Sequence, residues 1–435
     1  MAETEIALAV FLLVALFASL VSRKVRTPYT TLLVLVGLAI AAIPVAEIAG
    51  VTGFFNNLAS GGLFIGLILP PLLFESIMSV RVADFRAVYR PALVLATGGV
   101  LISVLVVGVV LWKVLGLDPV VSFLFAALIS PTDVATVLEI FARVNVPAKL
   151  ATLIEMESVF NDATGITIFT IVLTSSTAAA LQPLQAVAQF VYVLGGGVLV
   201  GVGVAWLARF VQKEIEDTVS QVVLTLVAVY GSYGLAAAFG FSGIIAVAMT
   251  GVFYGGTILP LLRSKQAADA TREFWNILAF VANAVAFFFI GISTNIFLLV
   301  TGVGVFLVAY GVVVMARITS VYPILSLTKV SGLAIPNSWM NTATLGGMRG
   351  ALAIVLVSAI PFATRAPVAT LTFGVVMLSI LLQGPLFTSY TGRTFGRQEK
   401  LSNFGAYEGM YDMDVERSAQ ALSPDGKGRD DDELR

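Results

Sequence analysis

One apolar stretch is interrupted by Glu157-Ser158-Val159-Phe160-Asn161-Asp162, a run of oxygen-bearing side chains at helical spacing. At 3.6 residues per turn, Ser158, Asp162 and Gly165 share one stripe of a helix, and Glu157 and Asn161 share the adjacent one. Hydroxyl and carboxylate oxygens one turn apart suit a small hard cation. A second stretch, Ser130-Pro131-Thr132-Asp133, sets an acid beside a proline inside another apolar run. Proline removes one backbone hydrogen bond and frees carbonyl oxygens a turn back. Loosened backbone at membrane depth lines a cavity or contacts other protein. The chain has no Cys and no His, which excludes thiolate chemistry, disulfides, imidazole metal sites and Ser/His or Cys/His nucleophile pairs. Proton handling therefore falls to carboxylates.

The elements that must hold these residues are membrane helices. The chain is 58% hydrophobic and only 12% charged, against roughly a quarter charged in soluble domains. Its mean hydropathy is +0.97, so an all-α polytopic membrane protein is expected. With about 20 apolar residues per crossing, the pattern predicts about thirteen spans. They lie near 5–22, 29–46, 61–80, 91–113, 118–140, 150–176, 184–210, 219–238, 241–260, 274–294, 297–321, 338–360 and 366–388. Glu3 and Glu5 precede the first run without a basic residue, which reads as a retained span rather than a cleaved leader. Basic residues gather after the odd-numbered spans, among them Arg23, Lys24 and Arg26, then Arg81, Arg86 and Arg90, then Arg263, Lys265 and Arg272. The opposite loops offer only Lys113 and Arg365. Basic loops stay cytoplasmic, so the amino terminus is expected outside and the tail inside. Residues 391–435 are mostly Gly, Ser and charge, a composition expected to remain largely disordered.

Four acids, Glu75, Asp133, Glu157 and Asp162, and two arginines, Arg317 and Arg349, are read as lying deep within these spans. A charge at that depth costs several kcal/mol, so each needs a partner or a task. Glu157 is explained at least cost by an ion pair with one of the arginines. Asp162 is the functional candidate, because two arginines cannot neutralise four acids. Glu75 either faces the same cavity or lies nearer the cytoplasmic end in water. Arg317 and Arg349 are the counter-charges; an arginine stays protonated and shuttles nothing. Arg349 stands in Gly346-Gly347-Met348-Arg349-Gly350, where glycines weaken the helix and admit a close backbone. Spans five and twelve are thus both interrupted, one in each half. Paired interruptions of this kind point to an inverted-repeat transporter with its site between them.

With Pro131-Thr132-Asp133, Glu157-Ser158 and Asn161-Asp162 upstream of Gly346-Gly347-Met348-Arg349-Gly350, the chain resembles the monovalent cation:proton antiporters. Within them it is similar to the prokaryotic NhaP-type sodium/proton antiporters, relatives of the animal sodium/hydrogen exchangers. The resemblance covers residues 1–390. It implies a sodium/proton antiporter fold with two crossing broken helices. Core helices would include 91–176 and 297–388, and dimerisation helices 5–80 and 184–260. It also implies a homodimer in the bilayer of a prokaryotic cell, elevator-like alternating access, and exchange of Na+ (or Li+) for H+ without a cofactor or nucleic acid. K+/H+ exchange is the alternative within the family. On matching positions, Asp162 is the principal ion- and proton-binding carboxylate. Thr132, Asp133, Ser158 and Glu75 complete the cation site, Asn161 adjoins it, and Glu157 pairs with a core arginine, Arg317 in preference to Arg349. The Asn161-Asp162 pair implies electroneutral one-for-one exchange. From another class, Asp133 and Asp162 could form the dyad of an intramembrane aspartyl protease, but neither stands in a Tyr-Asp or Gly-x-Gly-Asp context.

Overall fold

The computed structural model describes residues 2–25, 28–42, 63–78, 80, 82–177, 183–259, 265–294, 297, 301–328, 335–357 and 359–396. The expected disorder of the tail concerns residues that, from 397 on, lie outside the described ones; before them, the last helix continues to Phe395.

No strand occurs among the described residues. The helices are α1 (Ala2–Val25), α2 (Tyr29–Ala41) and α3 (Leu63–Met78). Next, α4 covers 82–114 with π turns at Leu95–Gly99 and Val110–Val114. Then come the two halves of a broken helix, α5a (Pro119–Ile129) and α5b (Ala135–Phe141), followed by α6 (Ala148–Thr177), α7 (Pro183–Gln212) and α8 (Thr218–Ala238). Helix α9 (Gly243–Phe253) ends in a π turn at Tyr254–Ile258, and α10 (Lys265–Ile292) and α11 (Val303–Thr328) follow. A second broken helix comprises α12a (Asn337–Leu345) and α12b (Ala351–Val357). Last, α13 runs from Phe362 to Phe395 through a π turn at Ser379–Gln383.

Local chemistry sets several of these ends. Asp118 accepts from the N–H groups of Val120 and Val121, and Pro119 opens the first turn of α5a, where its missing N–H is no loss. Asp217 does the same for α8 through Ser220 N–H. That contact, with the exposed side chain at a helix start, holds the Asp217 carboxyl below the ordinary carboxylate range.

Among the described residues, α4, α7, α8, α10, α11 and α13 are long and apolar enough to cross a bilayer by themselves. Shorter apolar helices cover parts of α1, α2, α3, α5a and α9. Helix α6 has the length, 30 residues, but it carries Glu155, Glu157 and Asp162. Helices α5 and α12 are broken. The two broken helices and α6 hold most of the polar residues singled out from the sequence, with Glu75 on α3 and Arg317 on α11, a local inconsistency typical of functional sites.

The helices pack in two groups. Helix α10 lies along α2 and α3, and α9 packs against α3, α7 and α8. In the other group α4 packs on α5a, α6 and α11, while α13 packs on α5a, α11 and α12a. Fewer contacts join the groups, chiefly α6 with α9 and α7, α10 with α12b, and α2 with α5b.

Candidate functional site

The two helix breaks lie against each other. Asp133 N–H donates to Met348 O at 2.8 Å, which ties the 130–134 break to the 346–350 break. Arg349 reaches the other way: its Nη1 donates to Ser130 O at 2.5 Å and Pro131 O at 2.9 Å. These are carbonyls that the end of α5a leaves without a helical partner. Arg349 therefore serves backbone oxygens and forms no ion pair among the described residues, whereas Arg317, the partner preferred from the sequence, is the one bonded to Glu157. Its charge sits at the carbonyl end of a helix, where the dipole favours it.

Helix α6 seals the crossing from one side. Ser158 Oγ donates to Thr132 O at 2.7 Å. Asn161 Nδ2 donates to Thr132 Oγ1 and to Glu157 Oε1, both at 2.8 Å, while Asn161 Oδ1 accepts from Thr132 N–H at 3.3 Å. Glu157, 1% exposed, takes a fork from Arg317, with Nη1 to Oε1 at 2.9 Å and Nη2 to Oε2 at 3.0 Å. Arg317 Nη2 also donates to Ala343 O at 3.0 Å, which fastens α12a. Bidentate pairing fixes direction as well as charge, so Glu157 and Arg317 hold α6, α11 and α12a in register.

Asp162 lies on the other stripe, with Ser158. Both line a cavity of about 100 Å³ whose wall also includes Glu75, Thr132, Asp133 and Asn283. That is room for a few waters or a partly hydrated ion, since a water's share of the liquid is about 30 Å³. Asp133 Oδ1 accepts from Ala135 N–H at 2.8 Å, capping α5b. Asp162 is half-buried and takes no hydrogen bond or ion pair among the described residues. Glu75 faces this cavity, and its Oε1 is buried without a hydrogen-bond partner among the described residues. Thus Glu75, Thr132, Asp133, Ser158 and Asp162 share one cavity, whereas Asn161, Glu157, Arg317 and Arg349 stand behind its wall. Two glycines make the packing possible. A Cβ at Gly350 would come within 1.8 Å of Asp133 Oδ2, and one at Gly165 within 2.0 Å of Pro131 Cγ.

Sequence reasoning counted four acids within the spans, and the structure corrects that number. Glu139 and Glu155, at 8% and 2% exposure, are buried as well. Glu155 accepts a hydrogen bond from Ser76 Oγ of α3. Glu139 accepts from Tyr29 N–H at 2.8 Å and from Arg143 Nη2 at 2.8 Å, so α5b caps the start of α2. Both acids sit toward the ends of their apolar runs, where a charge is read as hydrated. The Glu139/Arg143 spacing of one helical turn was the available signal.

The profile of the family described as "Sodium/hydrogen exchanger, transmembrane" matches residues 11–391. The chain belongs to that family. The exchanger is 30% identical over 380 residues to the Na(+)/H(+) antiporter NhaS2 of Synechocystis sp., covering 87% of this chain and 68% of the relative. It is 31% identical to the Na(+)/H(+) antiporter NhaP of Pseudomonas aeruginosa, over 78% of this chain and 82% of that one. In three dimensions it is similar to the sodium proton antiporter MjNhaP1 from Methanocaldococcus jannaschii at pH 8, with a TM-score of 0.72 and 23% identity. That likeness spans 91% of this chain and 100% of the other, and it establishes the fold. The exchanger is thus a multi-pass membrane protein of a family of secondary transporters, not an enzyme.

Proposed function

We propose that this exchanger moves Na+ (or Li+) one way across a prokaryotic cell membrane and H+ the other, with both cargoes contesting Asp162. The observation that carries the reading is the isolation of that side chain. It faces a cavity rimmed by Asp133, Thr132, Ser158 and Glu75 and is bonded to none of them. In this reading those four residues supply the remaining oxygens to the cation. Asn161, Glu157, Arg317 and Arg349 hold the oxygens in place.

A bare carboxylate is costly to carry through a low-dielectric barrier. The site therefore crosses when it holds a cation or a proton, and exchange follows from that restriction. Asn161 adds no charge, so one positive charge travels each way and exchange is electroneutral. Helices α4–α6 and α11–α13 form the moving core in an elevator-type cycle. Helices α1–α3 and α7–α10 form the frame, through which two copies pair as a homodimer. The division into two packing groups along the cavity supports this assignment, and the basic loops support an amino terminus outside and a tail in the cytoplasm.

The test is purified protein in liposomes, with Na+, Li+ and K+ gradients driving a pH change across an external pH series. Wild-type protein is expected to respond to Na+. Asp162→Asn is expected to give no response while eluting as a folded dimer. Exchange that survives in Asp162→Asn would overturn the assignment. A membrane potential generated by turnover would overturn the one-for-one stoichiometry, and a response to K+ alone would move the protein to K+/H+ exchange.

A further inference from the structure

Gln383 is a buried amide on α13 that does not line the ion cavity. It closes the π turn Ser379–Gln383 of α13 and is 6% exposed, while Ser379 is fully buried. A primary amide at membrane depth is retained when its groups are satisfied, and here three contacts satisfy it. Gln383 Nε2 donates to Leu345 O at 2.7 Å. Its Oε1 accepts from Ser379 Oγ at 3.0 Å and from Tyr310 OH at 3.3 Å. Ser379 Oγ in turn accepts from Arg349 N–H at 3.1 Å.

The targets are specific. Leu345 ends α12a, so its carbonyl has lost its helical donor, and Arg349 is the next-to-last residue of the break. The π turn thus satisfies one backbone group on each side of the α12 interruption. A π turn widens the helix by one residue and is often found at functional positions; here it brings Ser379 and Gln383 onto the break together. From Arg349 the chain of contacts continues to Ser130 O and Pro131 O, and from Met348 O to Asp133 N–H.

We infer that Gln383, with Ser379, is a positioning residue for cation binding: it fixes the α12 break, and through Arg349 and Met348 it fixes where Thr132 and Asp133 present their oxygens. This rests on the Na+/H+ reading of the cavity. It predicts a particular kind of defect, because neither residue touches the cavity or contacts Asp162. Loosening the break should weaken cation capture while leaving the protonation and transit of Asp162 in working order.

The experiment measures Na+-driven pH change in proteoliposomes over a Na+ series at several pH values, for wild type, Gln383→Met, Ser379→Ala and the double variant. Methionine keeps the length and flexibility of glutamine without its polar atoms. Gln383→Met is expected to raise the KM for Na+ about tenfold, with the maximal rate within twofold of wild type, the size of one lost hydrogen bond. Ser379→Ala is expected to raise KM less. The double variant should fall short of the product of the two, because both act on one break. Gln383→Asn, which keeps the amide one methylene back, should recover part of the affinity, whereas a merely structural role would show as loss of folded protein at unchanged KM. Wild-type KM in folded Gln383→Met overturns the inference and leaves the exchange reading standing. If Gln383→Met does not fold, unchanged KM in Ser379→Ala has the same force. Wild-type protein without Na+-driven flux removes both.

Discussion

Glu157 and Asp162 stand on the same helix, less than two turns apart, in opposite surroundings. The face of α6 toward α11 gives Glu157 an arginine fork and an asparagine donor. The face toward α3 gives Asp162 a cavity and no protein donor among the described residues. A buried acid whose oxygens are all filled is fixed, and its worth lies in holding helices together. One whose oxygens are left open has affinity to offer. Asp133 combines two roles, with one oxygen accepting from Ala135 N–H at the start of α5b and its side chain in the cavity wall.

The comparison can be broken by exchanging the consequences of loss. The largest effect on transport belongs to Asp162→Asn, which should end exchange and leave thermal unfolding near that of wild type. The largest effect on folding belongs to the other acid. Glu157→Gln or Arg317→Leu leaves one member of a buried pair alone, a cost of about 3–5 kcal/mol. A steep fall in unfolding temperature should follow, with partial recovery in the double variant Glu157→Leu/Arg317→Leu. If Arg317→Leu unfolds at the wild-type temperature, the two acids do not differ as described.

Gly350→Ala sharpens the contrast at the cavity wall. The added methyl would meet Asp133 Oδ2 at 1.8 Å, so the carboxylate must move. A displacement near 1 Å in a preorganised site can cost up to about a hundredfold. The expected outcome is a raised KM for Na+ in a protein that still elutes as folded. Glu139→Gln should do least. Its partner Arg143 is 25% exposed, and glutamine still accepts from Tyr29 N–H. The expected loss is about 1 kcal/mol in thermal stability, with the KM for Na+ unchanged.

Much of the arrangement was legible in the sequence, and the gaps have physical causes. Pro131 and the glycines flanking Arg349 announced two interrupted helices because each stands beside a charge inside an apolar run; proline alone does not, since α3 runs through Pro70 and Pro71. Helical spacing separated Ser158 and Asp162 from Glu157 and Asn161, and the structure places those two pairs on different faces. The partner of Arg349 was not legible: a backbone carbonyl has no identity in sequence, so only the carboxylates were counted as its candidates. Glu139 and Glu155 escaped because burial near the end of a span depends on which neighbour covers it. Gln383 escaped for a related reason, since a single amide gains meaning only when the break it serves lies opposite.

The crossing of the two breaks makes a knot of backbone in which Asp133 grips Met348 and Arg349 grips Ser130 and Pro131. A disturbance at either loop is shared by the other, so the spacing among the oxygens they present would be kept if, as proposed, the core moves as a block. Discrimination between ions set by that spacing would then be the same whichever compartment the cavity meets.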